Sequence, residues 1–407
     1  EVTVKGIIAS EGQGQLIESC QQAGQHLLVV LECSPFYGEA GGQVGDSGVL
    51  HHENCQLEVD DTQWDGELLL HHGRLLSGKI QTGETLTAEV NEPARDAIRR
   101  AHSATHVLHY ALQKQLGSHA QQQGSKVDGD WLRFDFTNPE PVSGDQLGKI
   151  EEDVIERIEG GEQIQCNTVP LAEARASGAM MLFGEKYPVP VRIVSMGEFS
   201  QELCGGTHLE NTAQIGGFEI VSEEGVAAGI RRITALTGEK ARQHAGRVSG
   251  ELERLTESLG VAVAEVPEAA RQLARQVRDL KKRMSSGGAQ ADEDTLRTPA
   301  AGASGDDYPA MRAALRETAR ILNVGMFAVS DRVDSLQTEI QQLRDQLEQL
   351  QTSEQVSADD LLERAEQFDS TRGIIQHLEG SNPDLMRRLI DQVRKKEDSV
   401  AVLLATS

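Results

Sequence analysis

Two short patterns far apart in the sequence constrain this chain more than anything else in it. His102-Ser103-Ala104-Thr105-His106 lies in a stretch that reads as helix, so its imidazoles stand at i and i+4 and project from one face about one turn apart. Cys204-Gly205-Gly206-Thr207-His208 offers a thiolate and an imidazole four residues apart, and its glycines let the backbone fold so that both reach one ion. Together His102, His106, Cys204 and His208 form a set of sulfur and nitrogen donors, which favours zinc over magnesium or calcium. The helical pair alone is more ordinarily a surface or core pair, and it is the second pair that makes it a metal set. His109, one turn further along the helix, is a rival ligand whose plainer role lies outside the donor set.

The surrounding patterns give an α+β fold class. Residues 1–92 carry short β-rich runs, such as Val2-Thr3-Val4 and Leu27 to Leu31, punctuated by Gly, Asp-Gly and Ser-Gly turns, as expected of a small antiparallel β-barrel-like module. Pro93 suits a first helical turn, and Ile98, Ala101, Leu108 and Leu112 recur at helical spacing before Gly117. Residues 93–238 then alternate strand and helix, with Trp131 to Phe136 as a strand and 146–158 as a helix. Residues 239–284 read as a helical connector. Residues 285–310, rich in Gly, Ala, Ser and acid, bury too little to offset ordering and are expected to be a disordered insert. Within 311–370, the positions Met326, Val329, Val333, Leu336, Ile340, Leu343, Leu347 and Leu350 alternate three and four apart, as in a coiled-coil seam that joins copies of the chain. An antiparallel pairing with 239–284 inside one chain uses the same spacing. Residues 371–407 read as the start of a further domain that is cut off.

Charge narrows the partners. Lys and Arg total 39 against 64 Asp and Glu, a net −25, which excludes a basic coat for nucleic acid. A polyanion would need local cations, and the candidates are Arg95, Arg99 and Arg100, Arg231-Arg232, Lys281-Lys282-Arg283, and Arg387 to Lys396, each of which could equally be a solvated face. No apolar run approaches the roughly 18 residues of a membrane span. Five scattered cysteines favour a reducing compartment, hence the cytoplasm. A start at Glu1 without Met suggests a piece of a longer protein.

The run Ser34 to Gly48 is densest in glycine, but it holds no Gly-Lys-Ser or Gly-Lys-Thr and opens no helix, so it is no Walker-type phosphate cradle. This run, the His102/His106 pair and the Cys204/His208 pair, in that order, resemble the editing domain of alanyl-tRNA synthetases. Free-standing editing hydrolases share the zinc motif, and the helical extension favours the C-terminal part of the synthetase, comprising editing domain and oligomerising coiled coil. The resemblance implies hydrolysis of the ester that joins serine or glycine to tRNA(Ala), an error that a pocket built for alanine cannot strongly reject. It also implies that His102, His106, Cys204 and His208 hold zinc and that Gln122, flanked by Gln121 and Gln123, is an active-site glutamine. Thr105 would pair its hydroxyl with that of serine, or else bond its own backbone. The aminoacylation domain would lie upstream and be absent here. A homo-oligomer acting on mischarged tRNA, with no role for DNA or membrane, completes the expectation. A zinc-stabilised RNA-binding module without catalysis is the reading from another class, since four protein ligands ordinarily mark a closed site.

Overall fold

Apolar residues at every second position build the first ninety residues into sheet. The computed structural model describes residues 1–9, 14–181, 189–285, 307–354, 357–378 and 383–406. These divide into two compact units, Glu1–His244 and Ala245–Ser407.

The first unit opens with strands β1 (Val2–Ala9), β2 (Gln15–Ile17), β3 (Ser19–Cys20), β4 (His26–Leu31), β5 (Gly48–His52), β6 (Cys55–Asp65), β7 (Leu68–Gly78), β8 (Ile80–Gln81) and β9 (Thr85–Val90). Seven of them pair in the order β2-β1-β4-β7-β6-β5-β9, and β1 also pairs with β9, so the sheet closes on itself. Val4, Ile7, Leu27, Val29, Leu50, Leu57, Leu75 and Leu86 fill its interior. The glycine run crosses between β4 and β5.

Helix α1 (Glu92–Leu116) follows, its first turn capped by the Asn91 side chain, which accepts from the Ala94 N–H at 3.2 Å. Such a cap stabilises a helix by about 1 kcal/mol. After it come β10 (Gln122–Asp128), β11 (Trp131–Thr137), α2 (Gly144–Glu159), β12 (Ile164–Val169), α3 (Leu171–Ala176), β13 (Val191–Met196), β14 (Ser200–Leu203), β15 (Phe218–Ala227) and β16 (Ile230–Thr237). One antiparallel sheet runs β10-β11-β16-β15 and another β12-β13-β14. Leu108, Leu112, Leu132, Phe134, Phe136, Ile150, Val154 and Ile233 form one core between α1, α2 and the four-stranded sheet. This burial holds α1 rigid, and Cys204 directly follows β14.

Helix α4 (Gly238–Leu259) spans the division between the units, and α5 (Val266–Ser285), α6 (Tyr308–Leu322) and α7 (Val329–Glu354) belong to the second. Here the heptad-like spacing is met by packing inside the chain. Val329, Val333, Leu336, Ile340 and Leu347 of α7 are buried in one core with Leu252 and Leu255 of α4, Leu273, Val277 and Leu280 of α5, and Leu315 of α6. Among the described residues these positions of the seam are covered within the chain, and the side chain of Leu350 lies outside them. Heptad spacing specifies an apolar stripe but not what covers it, and any helix with a matching ridge serves. The Glu251 carboxylate accepts from the Ser330 N–H at 2.9 Å, and the Gln337 amide donates to the Ser258 carbonyl at 3.1 Å, so α4 and α7 run in the same direction.

Most of the expected insert, 286–306, lies outside the described residues. Its last positions depart from the expectation, for α6 begins at Tyr308 with Pro309 in its first turn, where proline costs no hydrogen bond. The tail departs as well. The helix α8 (Ala358–Glu363) is followed by the exposed strand β17 (Glu366–Phe368), which pairs with β18 (Thr371–His377). The elements α8 and β18, the helix α9 (Pro383–Lys396) and the strand β19 (Val400–Ala405) pack around a core of Ala358, Leu361, Ile374, Leu389 and Val393. β18 and β19 are parallel, joined through α9. The packing unit therefore draws on residues upstream of 371. Among the described residues no helix is long and apolar enough to cross a membrane.

Candidate metal centre

The i, i+4 geometry of α1 places His102 and His106 on one face, with rings stacked at 5.5 Å. The turn after β14 brings Cys204 and His208 against them, and the four donor atoms all lie within 4.8 Å of one another. Cys204 Sγ stands 3.3 Å from His102 Nε2 and 3.3 Å from His208 Nε2. A tetrahedral zinc with ordinary bond lengths would set sulfur and nitrogen about 3.5 Å apart, so the donors fit that ion. Gly206 makes the close approach possible, because a Cβ there would fall 2.0 Å from His102 Cε1.

Each imidazole is also held from behind. His102 Nδ1 is 2.7 Å from Gln43 Oε1, His106 Nδ1 is 3.0 Å from Glu202 Oε2, and His208 Nδ1 is 3.3 Å from Ser103 Oγ. His106 Nε2 is buried with no hydrogen-bond partner. A buried orphan of this kind carries a cost unless something fills the space in front of it. A carboxylate, amide or hydroxyl behind each metal-facing imidazole is the arrangement by which proteins orient histidine ligands.

Burial and charge act unequally on the donors. Burial alone would push the Cys204 thiol up, but the imidazoles around it, His102 first, hold it well below its ordinary value, towards thiolate. Burial likewise opposes the charged forms of His106 and Glu202. Their mutual attraction overrides it, with His106 raised to about 10 and the Glu202 carboxyl lowered. His208 is pushed down to about 3, first by burial and then by His102. A neutral His208 keeps the lone pair a ligand needs.

Other candidates fall elsewhere. His109 is outside the donor set, with its Nδ1 3.3 Å from Glu202 Oε1. Thr105 donates its hydroxyl to the Ala101 carbonyl at 2.9 Å, the backbone alternative for that residue. Gln122 donates to Ser125 Oγ at 3.2 Å, on the strand along which the glycine run lies. A cleft lined by Tyr110, Gln113, Phe199 and Glu202 meets the centre only through Glu202. Gln43, Ser103 and Glu202 went unread in the sequence because hydrogen-bond partners behind a ligand obey no spacing rule. The one available signal was that Gln43 follows two glycines.

Several members of the basic clusters carry ion pairs within the chain. Arg95 pairs with the buried Asp46, Arg99 with Asp96, and Arg100 with Asp130 at 2.6 Å. Arg231 and Arg232 make bidentate pairs with Glu223 and Asp135. Lys281 meets Glu339 at 2.6 Å and Lys396 meets Asp359. In so acidic a chain, a cation finds a local carboxylate first.

A family described as "Threonyl and Alanyl tRNA synthetase second additional domain" matches residues 191–234, the stretch that holds Cys204 and His208. One described as "tRNA synthetases class II (A)" matches residues 2–94. That match corrects the expectation of a purely C-terminal part lacking any of the class II synthetase region, for a run of strands and turns with no phosphate-cradling motif shows no sign of that family by spacing. The chain is 48% identical to an alanine–tRNA ligase of Rhodopirellula baltica over 99% of its own length and 44% of the relative's. It is 43% identical to one of Acidithiobacillus ferridurans over 78% of the chain and 36% of that ligase. With one of Dichelobacter nodosus the figures are 39%, 73% and 34%. The chain thus spans less than half the length of these relatives.

Proposed function

We propose, from the premise that this chain is homologous along its length to alanine–tRNA ligases, that its four-donor centre holds zinc and hydrolyses tRNA(Ala) mischarged with serine or glycine. The observation that carries the reading is the convergence of three oriented imidazoles and one thiolate-leaning cysteine, of which Cys204 and His208 lie in the stretch matching the synthetase additional domain. Zinc bound there would supply Lewis acidity toward the ester carbonyl or an attacking water. The chain's own residues do the rest. Glu202 holds a proton of His106 at Nδ1, so that Nε2 is the nitrogen that would give up its proton to bind zinc. Thr105, its hydrogen already given to Ala101, is left an acceptor only, which suits the donating hydroxyl of a seryl group and offers nothing to the methyl of alanine. Gln122, bonded to Ser125 on the strand that the glycine run lies along, is assigned to the substrate. The five free cysteines fit a reducing compartment, and we place the chain in the cytoplasm.

A second reading, a closed structural ion that staples α1 to the turn after β14, is favoured by the count of four protein donors. One experiment separates the two. The zinc-loaded chain is incubated with seryl, glycyl and alanyl esters of tRNA(Ala), beside a Cys204→Ala/His208→Ala double variant assayed for zinc content. Hydrolysis of the seryl ester at least about tenfold faster than of the alanyl ester, ~1.4 kcal/mol of discrimination, is expected, with loss of both metal and activity in the variant. A folded, zinc-loaded chain inert on the seryl ester at saturating tRNA leaves only the structural ion.

A further inference from the structure

We infer that Gln43 is a positioning residue of the metal centre and that the glycine run exists to deliver it there. Gln43 is fully buried although it belongs to the loop between β4 and β5. Its Oε1 accepts from the Thr207 N–H at 2.9 Å and lies 2.7 Å from His102 Nδ1, while its Nε2 donates to Thr207 Oγ1 at 3.0 Å. The Thr207 backbone N–H can only donate, so the atom facing it is the amide oxygen, and an amide oxygen can only accept. His102 Nδ1 must therefore carry the hydrogen. Its lone pair is then on Nε2, the atom 3.3 Å from Cys204 Sγ. One amide thus sets the ligand nitrogen of His102 on α1 and anchors the turn that carries Cys204 and His208.

The glycines explain how a loop reaches this far. Gly41 and Gly42 have φ of +57° and +82°, values that favour glycine. A Cβ on Gly42 would stand 2.3 Å from the Ser125 carbonyl oxygen. Without one, the loop lies directly on β10, with Val127 N–H donating to Gly42 at 2.7 Å and Val44 N–H to Val127 at 3.1 Å. The run is a rigid arm that ends in an amide.

The inference rests on the metal reading of the centre but not on hydrolysis, and metal affinity tests it. In the full chain, Zn²⁺ affinity is measured by chelator competition, and the visible absorption of bound Co²⁺ reports ligand geometry, for wild type, Gln43→Leu and Gln43→Glu. Leucine removes the acceptor. Glutamate keeps it for both His102 and Thr207, whose hydroxyl can turn to donate. A positioning role predicts that Gln43→Leu weakens Zn²⁺ by at least about tenfold and alters the Co²⁺ spectrum, as loss of a partner behind a ligand does, while Gln43→Glu stays within about threefold of wild type. A mere packing role predicts the opposite order, since leucine fills the space and glutamate buries a charge. Leucine tolerated, or a folded glutamate variant that loses the metal, overturns the inference. If Gln43→Leu does not fold, Gln43→Glu decides alone, with the ¹⁵N shifts of the His102 ring required to show a protonated Nδ1 as in wild type. Wild type that takes up no metal sinks the metal reading, and this inference with it. Metal-binding wild type with an unaffected Gln43→Leu sinks this inference alone.

Discussion

Gly206 decides how much room the centre has. Because a Cβ at that position would overlap the His102 ring, Gly206→Ala must push the ring or the turn aside. Zinc affinity is expected to fall by at least about tenfold with the fold retained, read by chelator competition and circular dichroism; unchanged affinity would mean that the turn has slack. Glu202 makes a complementary case. It serves two imidazoles at once, at 3.0 and 3.3 Å, so the amide of Glu202→Gln would accept from one and present its own hydrogens to the other. An affinity loss of roughly 10- to 100-fold is expected, with zinc content after dialysis as the check. His71 is governed chiefly by burial. Its Nδ1 is 2.9 Å from the Val29 carbonyl, its Nε2 is 2.7 Å from Ser34 Oγ, and burial lowers its pKa. The unfolded chain therefore takes the proton first, so the stability His71 contributes is complete above its unfolded pKa of about 6.5 and declines as pH falls from there towards the lowered folded value. His71→Gln should flatten the dependence of urea midpoint on pH below 6.5, and parallel profiles for variant and wild type would remove His71 from the acid response.

At the scale of elements, helix α7 shows why a sequence period is not a partner. Leu336 sits at 2% exposure in a core drawn from four helices, so Leu336→Ala should cost about 2–5 kcal/mol in the unfolding of that unit, seen in urea titration. Because the seam is already covered, the same variant should leave the sedimentation mass unchanged. A mass that falls with the substitution would restore the seam as a contact between copies. Helix α1 stands at the other extreme, for its cap, its proline and its apolar stripe all point the same way, and both histidines inherit their spacing from it.

Over the whole molecule, the excess of acid shapes any encounter with tRNA. Each phosphate contact steepens the salt dependence by about 0.9 in log–log slope, and most of the basic clusters are engaged by carboxylates. Binding of tRNA(Ala) should therefore show a slope shallower than about −4, measured by filter binding between low and physiological salt. A steeper slope would mean that these ion pairs open on binding. What the sequence by itself determined were the features carried by local rules: the period of two in the opening strands, the capped helix, the i, i+4 pairs, and the sulfur and nitrogen character of the candidate donors. What only the tertiary structure decided were relations between distant residues that no period records. The amide of Gln43 comes to lie behind His102, Glu202 bridges His106 and His109, α7 is covered by α4 to α6, and the arginines find carboxylates across strands. The physical reason is that hydrogen-bond partners and packing faces are chosen by whatever the fold brings within reach, whereas helix and strand geometry is set by neighbours along the chain.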